Sequence, residues 1–351
     1  MGSVPDPIDT ALQFVRAEKS KREYRLCISR FLRWGGLSSS AFVERAATTP
    51  KWAESLIINY VQSSAKRGLS GATIALHVAS LKTLFDYNDV VGVNWRKVRK
   101  AMPPTRTFGK DRAPTLEEVR SILKFCDARS RAIILFLASG GFRAGAFDFF
   151  TLSDYTLIRD DAGKVLAGRL VVYRGEPEEY VTFVTPEAVA ALQEYLDFRS
   201  RSGEAIGPSS PIFRDAWDVE VGGSVSQVKR LSARGVTRVI ARAILRAGLK
   251  ERDFKMVHGF RKFFKTRCEM AMKSIYVEVL MGHSLGISSS YMKPTEKELL
   301  SEYLKAVPYL TIAEAEELKR ELSRKDEELS RLNQKLLDII YRVGRLEEKV
   351  S

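Results

Sequence analysis

HGFRKFFKTRCEMAMKSIYVEVLMGHSLGISSSYMKP, residues 258–294, holds two of the chain's three histidines and three short motifs. These are His258-Gly-Phe-Arg261, Leu280-Met-Gly-His283 and Tyr291-Met-Lys-Pro294. GGFR, residues 140–143, lies upstream. The order is Arg143, then His258-x-x-Arg261 115 residues on, then His283 22 residues after Arg261, then Tyr291 eight residues later. Singly, each element has a bland reading: a surface pair, a turn, a tyrosine in a Ser-rich loop. The ordered set is what discriminates. His258 also lies one helical turn before Arg261, on the same face if the segment is helical.

Working outward, the charge is unevenly placed. The 351 residues carry 57 Lys+Arg against 43 Asp+Glu, a net +14. The last 41 hold nine basic and ten acidic side chains, so the tail is −1 and the other 310 residues carry +15. Residues 1–100 alone are +8, with 16 basic and eight acidic side chains. An excess of this size in a compact body points to nucleic acid first and an anionic membrane surface second. The hydrophobic fraction of 45% is enough to bury cores, which argues against wholesale disorder. No apolar run approaches the roughly 18–20 residues of a membrane span. The segment MGSVPDPIDT lacks the basic and apolar regions of a secretory signal. Cys27, Cys126 and Cys268 are odd in number and scattered, which excludes a disulfide framework or a Cys-built zinc site and fits a reducing cytosol.

Helical patterning dominates. From Asp9 to Trp34 the apolar residues Phe14, Tyr24, Cys27, Ile28, Phe31 and Leu32 recur near helical spacing, and Gly35-Gly36 stops the run. Thr49-Pro50 reads as an N-cap with Pro at the first helical position, and Ser70 opens a third helix. The pattern predicts a domain of four or five helices over 1–100, a basic Pro/Gly linker over 101–112 and a second domain over 113–310. Thr115 and Glu118 form a capping box there. One strand pair is expected within Arg169–Thr185, and residues 202–226 read as loop. Over 311–351, Leu322, Leu329, Leu336, Val343 and Val350 recur every seven residues. Leu318, Leu332, Ile339 and Leu346 fill the second apolar position, with Lys325 interrupting once. That is a coiled-coil pattern; the competing reading is one amphipathic helix docked on its own domain.

The ordered Arg, His-x-x-Arg, His, Tyr set resembles the tyrosine recombinase (phage integrase) family of DNA breaking and rejoining enzymes. The likeness runs through most of the chain, as in an archaeal-like or mobile-element integrase with an added C-terminal coiled coil. It implies a mainly α fold. A helical SAM-like core-binding domain would precede a mostly helical catalytic domain with a small β-hairpin or sheet, the two clamping DNA. It implies site-specific recombination through a 3′-phosphotyrosyl intermediate and a Holliday junction, needing neither metal nor ATP, with no cofactor. Arg143 and Arg261 would hold the phosphate, because a guanidinium offers bidentate charge-assisted bonds and stays protonated. His258 would act as general base or bond a phosphate oxygen, and His283 would be a second phosphate ligand. Tyr291 would be the nucleophile, its phenolate favoured by nearby positive charge.

Two features depart from the family pattern. No Lys stands in the expected hairpin turn; Arg174 is the stand-in for that general acid and Lys164 competes with it. Ala146 occupies a position often acidic, with Asp148 a candidate substitute, while Asp154 fits an Asp found further along. DNA contacts are expected from Thr73, His77 and Lys82 on the third helix and from Arg106 and Lys110 in the linker. The implied partners are double-stranded DNA and further copies of the chain, as a tetramer on paired sites. No membrane and no small-molecule substrate is expected, and the implied location is cytoplasmic, with the nucleoid. The alternatives are a type IB topoisomerase-like relaxing enzyme and a non-catalytic DNA-bridging protein.

Overall fold

The computed structural model describes residues 5–104, 112–218, 221, 223–250, 256–284, 294–313, 325 and 329–336. The chain divides into two compact units, Met1–Gly109 and Lys110–Ser351. The fold is mainly α, with one small antiparallel sheet in the second unit.

Six helices form the described part of the first unit: α1 (Pro7–Leu12), α2 (Glu18–Gly35), α3 (Ser39–Thr48), α4 (Pro50–Lys66), α5 (Gly71–Asp86) and α6 (Trp95–Lys100). In α2 the positions Cys27, Ile28, Phe31 and Leu32 fall on one face and are all buried. Phe31 packs on Phe42 and edge-on to Tyr60. Gly36, at φ +63°, ends the helix in the left-handed conformation that favours glycine. The single helix expected over Asp9–Trp34 is two. The chain turns between Leu12 and Glu18, where Phe14 leaves the core and stacks on Tyr87 with ring centroids 4.3 Å apart. α3 escaped the sequence reading because only Phe42 and Ala46 of its ten residues are buried. Ser70 caps α5 as expected, its hydroxyl accepting from Thr73 N, whereas the Thr49 side chain makes no capping bond.

The second unit is built around α8 (Ala128–Gly140), buried along its whole length from Ala132 onward. It packs against α9 (Pro186–Arg201), α10 (Ala233–Arg246), α11 (Met256–Cys268) and the sheet. The Thr115–Glu118 capping box opens α7 (Leu116–Leu123) as anticipated. The sheet has three strands, not two: β1 (Tyr155–Arg159), β2 (Val165–Val172) and β3 (Tyr180–Val184), in that spatial order. β1 is five residues long and lacks a clean alternation, so periodicity alone did not reveal it. A second core joins the sheet to α11, α12 (Ser274–Leu280) and α13 (Glu296–Leu310) through Ala167, Phe183, Phe264, Val277 and Tyr303. The 202–226 region is largely irregular, yet it closes over a buried ion cluster in which Glu204 accepts from both Arg199 (3.0 Å) and Arg214 (2.6 Å). No described helix is long and apolar enough to cross a membrane.

Candidate active site and nucleic-acid interface

Two glycine turns position the site. α8 ends at Gly141, whose φ is +62°. A Cβ there would stand 2.2 Å from the Phe264 ring of α11, so backbone conformation and close approach both require glycine. The turn presents Arg143 to solvent, and among the described residues nothing pairs with its guanidinium. The second turn ends α12. His283 N donates to Glu278 O (3.0 Å) and Gly282 N to Val279 O (2.9 Å), a Schellman closure with Gly282 at φ +64°. A Cβ on Gly282 would lie 2.3 Å from Tyr180 Cε1.

Arg261 joins the two turns. α11 begins at Met256, so His258 lies in its first turn, one turn before Arg261 as expected, but is exposed while Arg261 faces inward at 3% exposure. Arg261 Nη1 donates to Gly141 O (2.5 Å). Its Nη2 donates to Met281 O (2.7 Å) and lies 2.6 Å from His283 Nε2. These bonds commit three of the five N–H groups of a guanidinium. Burial lowers the Arg261 pKa, and the neighbouring Arg143 cation adds to that. An arginine nevertheless remains charged. Three motifs dispersed over 140 residues of sequence thus meet at one side chain.

The wall of the site contains two tyrosines that the sequence reading passed over. Burial pushes the Tyr180 phenol up to about 12, although Arg261 and Arg143 pull against it. Burial also raises Tyr173, against the same two arginines. Both phenols are therefore protonated near neutrality, and the Tyr180 hydroxyl is buried beside the Arg261 guanidinium. Their signal in the sequence was position, since they flank the β2–β3 turn.

The two general-acid candidates lie at opposite ends of β2. Lys164 is in the β1–β2 turn, where its backbone N donates to Asp160 Oδ1 (2.8 Å). Arg174 follows Tyr173 in the β2–β3 turn. About 26 Å of strand separates the two turns, at about 3.3 Å per residue. Only the Arg174 end adjoins Tyr173, which feels Arg143 and Arg261. Arg174 is half-exposed and paired with the buried Asp154. Burial opposes ionisation of Asp154, but Arg174 and the Thr151 donors outweigh it and hold the carboxyl low. Asp148 serves another end: its Oδ1 accepts from Ala233 N (3.0 Å) at the start of α10.

Tyr291 lies outside the described residues, as do Arg106 and Lys110. In the first unit, Thr73 is partly exposed, and Lys82 is exposed and paired with Asp86. His77, expected to contact DNA from the surface, is instead a core residue at 2% exposure. Its Nδ1 lies 2.8 Å from the Tyr60 hydroxyl, and burial, then Arg30 and Arg67, lowers its pKa. The ring lines a cavity of about 510 Å³ whose rim holds Arg30, Arg33 and Arg67, basic residues that no motif had marked.

No family model matches the sequence, and no curated protein matches it. Solved structures do match in fold. A lambda integrase dimer bound to a COC′ core site aligns with TM-score 0.57 at 17% identity, covering 83% of this chain and 94% of that one. A lambda integrase tetramer bound to a Holliday junction gives 0.57 at 16% identity, over 82% of this chain and 76% of that one. The Tn1549 transposon integrase in complex with transposon right-end DNA gives 0.53 at 16% identity, over 85% and 98%. The fold is thus shared with these integrases. At these identities the likeness is one of fold.

Proposed function

We propose that this chain is a site-specific DNA recombinase of the integrase or transposase type. Its reaction is metal- and ATP-independent strand transfer. The Tyr291 oxygen attacks a backbone phosphorus, the bond from phosphorus to the 5′-oxygen breaks, and the 5′-oxygen takes up a proton. The product is a 3′-phosphotyrosyl link and a free 5′-hydroxyl. Attack by a second 5′-hydroxyl reverses the step on a new partner and passes through a Holliday junction.

The observation that carries this reading is the convergence on Arg261 of the Gly141 carbonyl and the Met281–His283 turn. It sets a buried guanidinium beside the exposed Arg143, two positive groups suited to the non-bridging oxygens of a pentavalent transition state. His258, on the exposed side of the same helix turn, is the proton-handling group. Arg174 is the cation toward the leaving 5′-oxygen; Lys164, at the far end of β2, is the weaker candidate.

The division of labour follows. Residues 1–100 bind DNA, 101–112 form a basic linker, 113–310 are catalytic and 311–351 form a coiled coil that joins copies of the chain. Arg30, Arg33 and Arg67 around the first unit's cavity offer a seat for a backbone phosphate beside Thr73, and Lys82 lies further along the same helix. Leu329, Leu332 and Leu336 are 56–61% exposed on a helical segment, an apolar stripe suited to a second copy. The working assembly is a tetramer on paired DNA sites in the cytoplasm, at the nucleoid.

Incubation with a nicked suicide substrate carrying the target site, in chelator, tests the reading. A covalent protein–DNA adduct is expected from the wild type and none from Tyr291→Phe. An adduct persisting in that variant would move the nucleophile elsewhere. Relaxation of a supercoiled plasmid lacking any target site would favour the topoisomerase alternative.

A further inference from the structure

One carboxylate beside Arg261 was not singled out by any motif. Glu278 lies in α12 five residues before His283, and the Schellman closure that ends the helix brings the two side chains together. The Glu278 carboxylate bonds His283 Nδ1 through Oε2 and Lys265 Nζ through Oε1. Lys265 stands one turn after Arg261 on α11. The side chains Arg261, His283, Glu278 and Lys265 therefore form a chain of contacts between α11 and the α12 turn.

The chemistry of the partners determines where the imidazole proton resides. A guanidinium has donors only, and an ionised carboxylate has acceptors only. Burial works against ionisation of Glu278, but Lys265 and His283 outweigh it and hold the carboxyl below its ordinary value. His283 must then donate from Nδ1 to Glu278 and accept at Nε2 from Arg261 Nη2. That is the neutral Nδ1–H tautomer. A proton on Nε2 would set donor against donor at 2.6 Å.

We propose that Glu278 is a positioning residue that, acting through His283, fixes the orientation of the Arg261 guanidinium. In this arrangement His283 Nε2 is an acceptor for arginine. The catalytic consequence rests on the recombinase reading given above; the proton arrangement does not. Such outer partners of a functional imidazole are worth about 10–100-fold where they orient a metal-bound histidine, a fair guide here.

Two measurements separate these levels. Protein labelled with 15N-histidine gives the tautomer of each ring from long-range proton–nitrogen correlations, with His283 assigned from the peak lost in His283→Asn. The wild type shows His283 as Nδ1–H. Glu278→Ala frees the ring to turn away from Arg261 and so shifts it toward Nε2–H, while Glu278→Gln, whose amide oxygen still accepts, retains the Arg261 contact and Nδ1–H. With the nicked substrate, adduct formation falls about 10–100-fold in Glu278→Ala, Glu278→Gln lies between, and DNA affinity changes less than about twofold. An Nε2–H ring in the wild type, or an unchanged tautomer in Glu278→Ala, overturns the proposal. Should Glu278→Ala fail to fold, the wild type and Glu278→Gln still decide it. A wild type that forms no adduct sinks the recombinase reading and leaves the tautomer to judge the role of Glu278.

Discussion

Arg261 Nη1 donates to the carbonyl oxygen of Gly141 at 2.5 Å, so one hydrogen bond couples the buried arginine of α11 to the turn that presents Arg143. The two cations are not independent features of a basic surface. A shift in either turn moves both.

The first prediction tests that coupling from the backbone side. Gly141→Ala places a Cβ against the Phe264 ring in a left-handed conformation. Conformational strain and overpacking of this kind together destabilise by about 2–4 kcal/mol. Urea denaturation of the full chain reads that loss. Adduct formation should fall even at temperatures where the variant is folded, because the Gly141 carbonyl no longer seats Arg261. Unchanged stability would mean that the close approach to Phe264 is not made in solution.

The second prediction concerns the guanidinium itself. Lysine at 261 cannot reach Gly141 O, Met281 O and His283 Nε2 together, and it presents a point charge where a planar fork is needed. Arg261→Lys should lower the cleavage rate by about 10²–10³-fold, as removal of one preorganised donor to a developing oxyanion does. DNA affinity, measured by fluorescence anisotropy, should hold within a few-fold, since one buried cation adds little to the phosphate contacts. A variant that cleaves at the wild-type rate would remove Arg261 from the chemistry.

The third prediction is a pH dependence. His77 is buried with its pKa lowered from 6.5, so it is neutral in the folded unit. In the unfolded chain it takes up a proton at about its ordinary value of 6.5. Below that pH the unfolded state binds more protons, and stability falls as pH falls toward the folded pKa. It is fully present only above about pH 6.5. Thermal melts between pH 5 and 8 should show this slope in the wild type and a flatter one in His77→Gln. The difference between the two is the readout, since His258 and His283 contribute equally to both. Identical slopes would mean that His77 is accessible to water.

What the sequence made legible was set by how local each signal is. Gly140-Gly141 before Arg143, the Thr115 and Ser70 caps, and the α2 face are local patterns, and they appear where they were expected. The helix break near Phe14 was not legible, because Phe14 fits the helical spacing yet stacks outside on Tyr87. His77 was expected at the DNA surface only through the family resemblance, and its burial depends on Tyr60 from another helix. Glu278 is one of 43 acidic residues, and nothing in the sequence says that a turn will fold it onto His283. Lys164 competes with Arg174 in the sequence, and only the fold shows that the length of β2 stands between their two turns.

The last prediction follows from the cavity of the first unit. Arg30, Arg33 and Arg67 line it with no carboxylate among the lining residues, and His77 Nε2, buried in its wall, has no hydrogen-bond partner among the described residues. If a DNA phosphate seats there, its neutralisation releases condensed counterions. The slope of log K against log salt then steepens by about 0.9 for each phosphate held. Arg30→Ala and Arg67→Ala should each weaken binding to any duplex and flatten that slope by about one. They should leave the ratio of target to random DNA affinity unchanged, because a phosphate contact carries position and not sequence. Combining the two should flatten the slope no further than either alone, since both arginines serve one phosphate. A double variant whose slope falls by about two would show two separate phosphate contacts on the surface and no shared seat in the cavity.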